Sequence, residues 1–281
     1  MSPFQRHIDA CNTPPPDVLR PFHLGQSPVG FVAPEILAAL DGVPGFHCQA
    51  GHCGIGPAQT TRAASTVALA ALADHLMAAG KIRLRGEAFD VRETFAGPVL
   101  ATLDRGALPA FGVAASGVHV NGVVRSATGR QVWVGIRAAN KAVAPGQLDN
   151  LVAGGTPAGL DAWTTMIKEA GEEAALPPAL AAQARPVARL TYRMWTPQGL
   201  RRDTLDCFDL DLPEGFVPRP NDGEVARFEL WPIERLFAAV RDTEGVKFNV
   251  NLVLIDLFLR EGLIDLQSTA GQALRAGLSR G

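Results

Sequence analysis

The stretch LDNLVAGGTPAGLDAWTTMIKEAGEEAAL (148–176) decides how this chain is read: a loop with three glycines runs into a helix that carries three clustered glutamates. Glu169, Glu172 and Glu173 stand three and four positions apart, a spacing that stacks side chains on one helix face. Like charges held that close repel, so the face is either well solvated or holds a cation. Trp163, Ile167, Ala170 and Ala174 form an apolar stripe on the other side, which predicts that the helix presses on a core. Oxygen ligands with no His or Cys beside them suit a hard cation, Mg2+ or Mn2+, rather than zinc. Gly154, Gly155 and Gly159 let the backbone ahead of the helix approach a ligand closely.

This combination resembles the Nudix box, the signature of hydrolases that cleave diphosphates linked to a second group. The family pattern runs from a glycine to a glutamate, then to Arg-Glu and a Glu-Glu pair, and ends in a glycine and an apolar residue. Here it reads Gly154, Leu160, Lys168, Glu169, Ala170, Gly171, Glu172, Glu173, Ala174, Ala175, Leu176. Leu160 replaces the first glutamate, Lys168 the arginine and Ala175 the last glycine. The first two mainly brace loop against helix in the family, so the resemblance implies a replaced brace and a retained metal set of Glu169, Glu172 and Glu173.

The runs GVHVNGVV (117–124), QVWVGIRAANKAVAPGQLDNLVAGG (131–155) and DTLDCFDLDLPEGFVPRPNDGEVARFELWPIERL (203–236) look like the Nudix subgroup associated with thiamine pyrophosphokinases. LRGEAFDV (84–91) is similar to the end of that subgroup's preceding domain. The resemblance implies an α/β (α+β) fold in which a Nudix α/β/α sandwich, 116–281, follows a smaller mixed α/β domain, 1–115. The implied activity is metal-dependent cleavage of thiamine diphosphate-like compounds, including oxidised or damaged forms, to the monophosphate.

In that reading Glu172 and Glu173 act at the metal. Glu224, in NDGEV, is the loop carboxylate expected to reach it or to take a proton from water. Arg137 and Lys141 are assigned to the diphosphate, a guanidinium offering two parallel hydrogen bonds and an ammonium a point charge. Asp149 and Asn150 precede the loop and are assigned to the organic part of the substrate. Trp195 and Phe208 offer aromatic faces for stacking. Arg137, Lys141, Pro145 and Gly146 also resemble the approach to the box in isopentenyl diphosphate isomerases. Those use a cysteine shortly afterwards, where this chain has Asn150, Leu151, Val152 and Ala153. Other Nudix hydrolases divide ADP-ribose or coenzyme A, and some Nudix domains only bind ligands; such modules have often lost box glutamates that this chain keeps.

With 281 residues, 47% of them hydrophobic, the chain is long enough for two domains with buried cores. A net charge of −2 and the lack of a basic stripe argue against nucleic acid. No apolar run has transmembrane length and the first residues lack a signal-peptide core, so no membrane partner and a cytoplasmic location are expected. Cys11, Cys48, Cys53 and Cys207 are too few and too irregular for a disulfide framework. His47, Cys48, His52 and Cys53 lack the spacing of zinc knuckles and read as loop and core residues.

Within 1–115, helices are expected over 33–42, stopped by Asp41-Gly42, and over 61–79, with Val67, Leu69, Leu72, Leu76 and Ala79 inward and Gly80 as its stop. KIRLRGEAFDVRE (81–93) reads as strands around Gly86. This half reads equally as a lid or specificity element and as a packing or dimerisation module, the last implying a homodimer. Beyond it, strands are expected over 117–124 and 131–138 around a Thr-Gly turn, and over 187–196, 203–212 and 225–232. Helices are expected over 233–240 and 249–261.

Overall fold

The three prolines at 14–16 confine any opening helix to the residues before them, and α1 spans Gln5–Ala10. The computed structural model describes residues 2–49, 51–56, 61–127, 129–141 and 143–281. After α1 come β1 (Arg20–Leu24), β2 (Ser27–Val32), α2 (Pro34–Leu40), β3 (Phe46–Cys48), β4 (Cys53–Ile55) and α3 (Arg62–Ala78). Pro34 starts α2 where its missing N–H is no loss. Thr61 caps α3, its hydroxyl accepting from the Ala64 N–H at 3.2 Å. Leu69, Leu72 and Leu76 are buried as expected, but Val67 is 70% exposed. It stands two positions before Leu69, about 200° round the helix from that face.

Next come β5 (Ala88–Val91), β6 (Ala101–Asp104) and α4 (Leu108–Phe111). Only the second half of the strand pattern expected around Gly86 forms. The Asp104 carboxylate accepts from the Arg85 and Gly86 N–H groups at 2.9 and 2.7 Å, holding the segment ahead of β5 in a turn. The four-stranded sheet β2-β1-β4-β3 and the β5-β6 pair enclose a core that includes Phe22, Leu40, Leu69, Leu72, Phe89 and Phe111.

From Ala114 the period-two pattern takes over. The strands are β7 (Ala114–Ser126), β8 (Gly129–Arg137), β9 (Leu148–Asp149) and β10 (Val152–Gly155). Helices α5 (Ala162–Ala174) and α6 (Pro178–Ala181) precede β11 (Arg185–Thr196), β12 (Gly199–Asp211) and β13 (Val225–Pro232). The chain closes with α7 (Ile233–Asp242), α8 (Val250–Arg260) and α9 (Thr269–Gly277), the last not expected from the sequence. The Thr-Gly turn between β7 and β8 includes Thr128, which lies outside the described residues.

The sheet runs β11-β12-β7-β8-β13, with β10 added along β7 and β9 along β8. β12 lies parallel to β7, the long chain between them giving room for the crossover that a parallel pair needs. Alternation sorts side chains to two faces. Val118, Val120, Trp133, Phe208 and Leu210 meet Met166 and Ala170 of α5. Val132, Val134, Leu205 and Cys207 meet α7 and α8 on the other side. The result is the expected α+β architecture, a sheet sandwiched between helices. Phe4, Ile8 and Cys11 join the second of these cores, so α1 packs with α8 and α9 rather than with residues 22–113. No helix among the described residues is long and apolar enough to cross a membrane.

Candidate active site

Helix α5 starts where Asp161 accepts from the Thr164 N–H at 2.7 Å, and it anchors on Thr165, Met166, Ala170 and Ala174. The three glutamates do not share one environment. Glu173 turns inward, is 5% exposed, and accepts from the Ala153 N–H at 2.8 Å. Glu169 lies across Gly154, where a Cβ would come within 2.5 Å of its carboxyl carbon, so a side chain there would displace the carboxylate. Glu172 faces solvent and pairs with Lys168 at 2.5 Å, and Lys168 also reaches Glu169 at 3.3 Å. Residues 172 and 173 are about 100° apart around the axis, so when one is buried the other turns out. Trp163 is 40% exposed, its ring edge-on to Phe208, and so is not part of the inward stripe.

Leu160 offers Lys168 no carboxylate, and its ammonium spans the two that neighbour it on the helix. Negative charge therefore accumulates with only partial relief. Burial pushes the Glu173 pKa up to about 8, with repulsion from Asp149, Glu169 and Glu224 adding to it and the Ala153 N–H opposing it. Burial also raises Glu169, against the pull of Lys168.

Each carboxylate nevertheless has a partner: Glu169 and Glu172 share Lys168, Glu173 has the Ala153 N–H, and Glu224 pairs with Lys141 at 2.7 Å. Among the described residues no three His, Cys, Asp or Glu side chains are placed to hold a metal ion, so the triad Glu169, Glu172, Glu173 is not assembled as expected. The donor chemistry still fits a hard dication. The donors are all oxygens, and the main electrostatic neighbours of the buried Glu173 carboxylate are acidic.

Three of the residues expected to meet the substrate are buried. Arg137 donates to Asp149 at 2.7 Å and to the Val143 and Ala144 carbonyls, so its guanidinium braces the 143–149 loop. Asp149 is buried with it and also pairs with Lys247 at 3.0 Å. Burial opposes its ionisation, but Lys247, His119 and Arg137 prevail and its pKa is lowered. Asn150 is buried too, its Oδ1 accepting from His119 Nδ1 at 2.8 Å and its Nδ2 donating to Asn121 at 2.8 Å. Asn121 in turn donates to Asp209 at 2.9 Å, which Arg260 grips from α8. Burial, with help from the nearby Lys247 charge, holds the His119 pKa down to about 4, so the ring is neutral.

These side chains form a polar seam that fixes the loop before the glycines. The sequence showed no sign of Lys247 or Arg260, because both arrive from about a hundred residues away. Phe208 packs in the α5 core, and Trp195 sits at the far end of β11, its N–H donating to Thr13 at 3.0 Å. A cavity of about 690 Å³ between β11 and α9, lined by Arg189, Leu190, Arg275 and Leu278, contains none of the expected site residues.

The first half of the chain also reaches the glycine loop, which the sequence did not reveal. The Ala158 N–H donates to the Ala88 carbonyl of β5 at 2.8 Å. A Cβ on Gly155 would lie 2.6 Å from the Phe89 ring and 3.6 Å from the Arg105 guanidinium carbon.

A family model described as "Domain of unknown function (DUF4743)" matches residues 4–115. "Nudix hydrolase 20, chloroplastic" of Arabidopsis thaliana is 39% identical over 186 residues, 66% of this chain and 50% of that protein. "Nudix hydrolase 24, chloroplastic" of the same plant is 38% identical over 185 residues, 66% of this chain and 51% of that protein. The chain thus spans about half the length of the curated relatives it matches. Among solved structures, DR0079 from Deinococcus radiodurans superposes over 68% of this chain and 98% of its own at 18% identity and a TM-score of 0.43, too loosely to bear on the site. Over the 185–186 residues they share, the chain is thus 38–39% identical to two proteins named as Nudix hydrolases.

Proposed function

We propose that this protein is a hydrolase of diphosphate-linked small molecules that works with Mg2+ or Mn2+ bound by the carboxylates of α5. One observation carries the reading. Glu173 is a buried carboxylate on the Ala153 N–H whose electrostatic neighbours include Asp149, Glu169 and Glu224, an excess of negative charge that a bound dication neutralises. Such an ion supplies charge stabilisation for a phosphoryl group and lowers the pKa of bound water.

Glu169 and Glu173 are the ligands the fold presents best, and Glu172 joins them on leaving Lys168. Glu224, half-exposed at the start of β13, is the proton acceptor in this reading, and Lys141 beside it contacts the phosphates. Arg137, Asp149 and Asn150 act indirectly, by fixing the loop.

The substrate proposed first is a thiamine diphosphate-like compound, including oxidised or damaged forms, cleaved to the monophosphate. That part rests on the likeness of residues 117–155 and 203–236 to the thiamine-associated subgroup. The proposal also keeps the division into units 1–115 and 116–281, with α1 lodged in the core of the second, a cytoplasmic location and a homodimer. Product analysis with Mg2+ tests it on thiamine diphosphate, its oxidised analogues, ADP-ribose and coenzyme A, with EDTA as control. Metal-dependent release of a thiamine-type monophosphate is expected. Turnover of ADP-ribose or coenzyme A alone removes the thiamine assignment, and silence on the whole panel removes the hydrolase reading.

A further inference from the structure

Gly154 and Gly155 end β10 with two residues that lack side chains, and each is crowded from a different direction. Glu169 of α5 lies over the first; Phe89 and Arg105 of the N-terminal unit lie over the second. Successive positions on a strand face opposite ways, so α5 and the β5–β6 pair flank this bare stretch of backbone. The Ala158–Ala88 hydrogen bond ties the two units together beside it. Glu87 acts electrostatically on Glu169, which brings the Arg105–Glu87 pair within charge range of the α5 carboxylates.

Arg105 is well suited to an anion. Its side chain is 53% exposed, its guanidinium lies 5.7 Å from the centre of the Phe89 ring, and its Nη1 donates to Glu87 at 2.9 Å. No other nitrogen of that guanidinium has an acceptor among the described residues. An exposed ion pair of this kind is worth little, whereas a guanidinium bound to phosphate through two hydrogen bonds is strong and directional. Of the cations expected from the sequence, Arg137 is committed to the buried Asp149, which leaves Lys141 as the other phosphate contact.

We propose that Arg105 is a phosphate-binding residue contributed by the N-terminal unit, so that a diphosphate lies across Gly154–Gly155 with the α5 carboxylates on one side and Arg105 on the other. This deepens the hydrolase reading and rests on it for the identity of the site. On binding, Arg105 exchanges Glu87 for a phosphate oxygen, and the N-terminal unit becomes part of the site rather than a separate packing module.

The test measures binding of methylene diphosphonate to the full chain by calorimetry in Mg2+, alongside hydrolysis of the same substrate panel. Arg105→Ala is expected to weaken diphosphonate binding at least about tenfold and to raise KM more than it lowers kcat, with Arg105→Lys recovering part of the loss. Glu87→Gln removes the competing carboxylate and is expected to tighten binding, a gain that a purely structural ion pair would not give. Affinity unchanged in Arg105→Ala, or no binding by the wild type, overturns the proposal. If Arg105→Ala does not fold, Glu87→Gln decides it, and unchanged affinity there counts against it. Diphosphonate binding that depends on Arg105 without turnover of any substrate supports this site and removes the hydrolase reading; turnover indifferent to Arg105 does the reverse.

Discussion

Glu173 combines two properties that rarely coexist in a stable protein, deep burial and acidic neighbours. Burial and repulsion raise its pKa from 4.5 to about 8, so without metal the folded protein binds a proton that the unfolded chain releases. The sign follows: this stabilisation is complete below about pH 4.5 and is lost as pH rises through about 8. Glu173→Gln is therefore expected to raise the metal-free melting temperature at pH 8 and flatten its decline with pH, while lowering turnover on the order of a thousandfold. Melting curves with EDTA at pH 5 and 8, beside activity in Mg2+, check both halves; a variant with near-normal turnover removes Glu173 from the metal site. Lys168 invites the complementary change. Because it spans Glu169 and Glu172, Lys168→Gln should tighten Mn2+ binding by roughly two- to fivefold, the scale of an exposed pair, and a weakened affinity in a titration followed by electron paramagnetic resonance would contradict that role.

Among the elements, α5 shows both how far periodicity reaches and where it stops. Its existence and its anchoring through Ala170 and Ala174 follow from spacing alone. Which glutamate points inward does not, because a three-and-four spacing describes a broad face, and the position of β7 and β10 settles which part of it is covered. Strands β9 and β10, with two and four residues, are too short to leave a pattern and form only because β8 and β7 offer free edges. The end of α5 carries its own strain. Ala175 occupies the left-handed region at φ 52° where the box has glycine, while the Leu176 N–H closes the turn on the Ala170 carbonyl at 3.0 Å. Ala175→Gly should stabilise the protein by about 1 kcal/mol, read as a higher urea midpoint at unchanged slope. No gain would mean that the turn around Ala175 relaxes in solution.

At the scale of the whole molecule the two halves meet at several places, among them the β5 contact with the glycine loop, the packing of α4 and β2 on β12, and α1. Ile8 is fully buried against the α8 and α9 core although it stands more than a hundred residues from the first strand of that sheet. Ile8→Ala is expected to cost about 2–5 kcal/mol and to lower the unfolding midpoint of β7–β13 together with that of the N-terminal strands. Loss of signal from the N-terminal half alone would show instead that α1 belongs with it.

The sequence by itself determined the longer strands and helices of residues 117–261 and the helix with its oxygen-rich face, which are written in local periodicity and in residue types that neighbour one another along the chain; the sandwich architecture was an expectation from the resemblance to the Nudix family. The tertiary structure alone decided that Glu173 is buried while Glu172 is exposed, that Arg137 and Asp149 are a buried brace, that Lys247 and Arg260 serve the seam around His119 and Asn150, and that Phe89 and Arg105 reach the glycines. Each of these depends on a contact between residues distant in the chain, where burial and charge are set by a neighbour that no local pattern records.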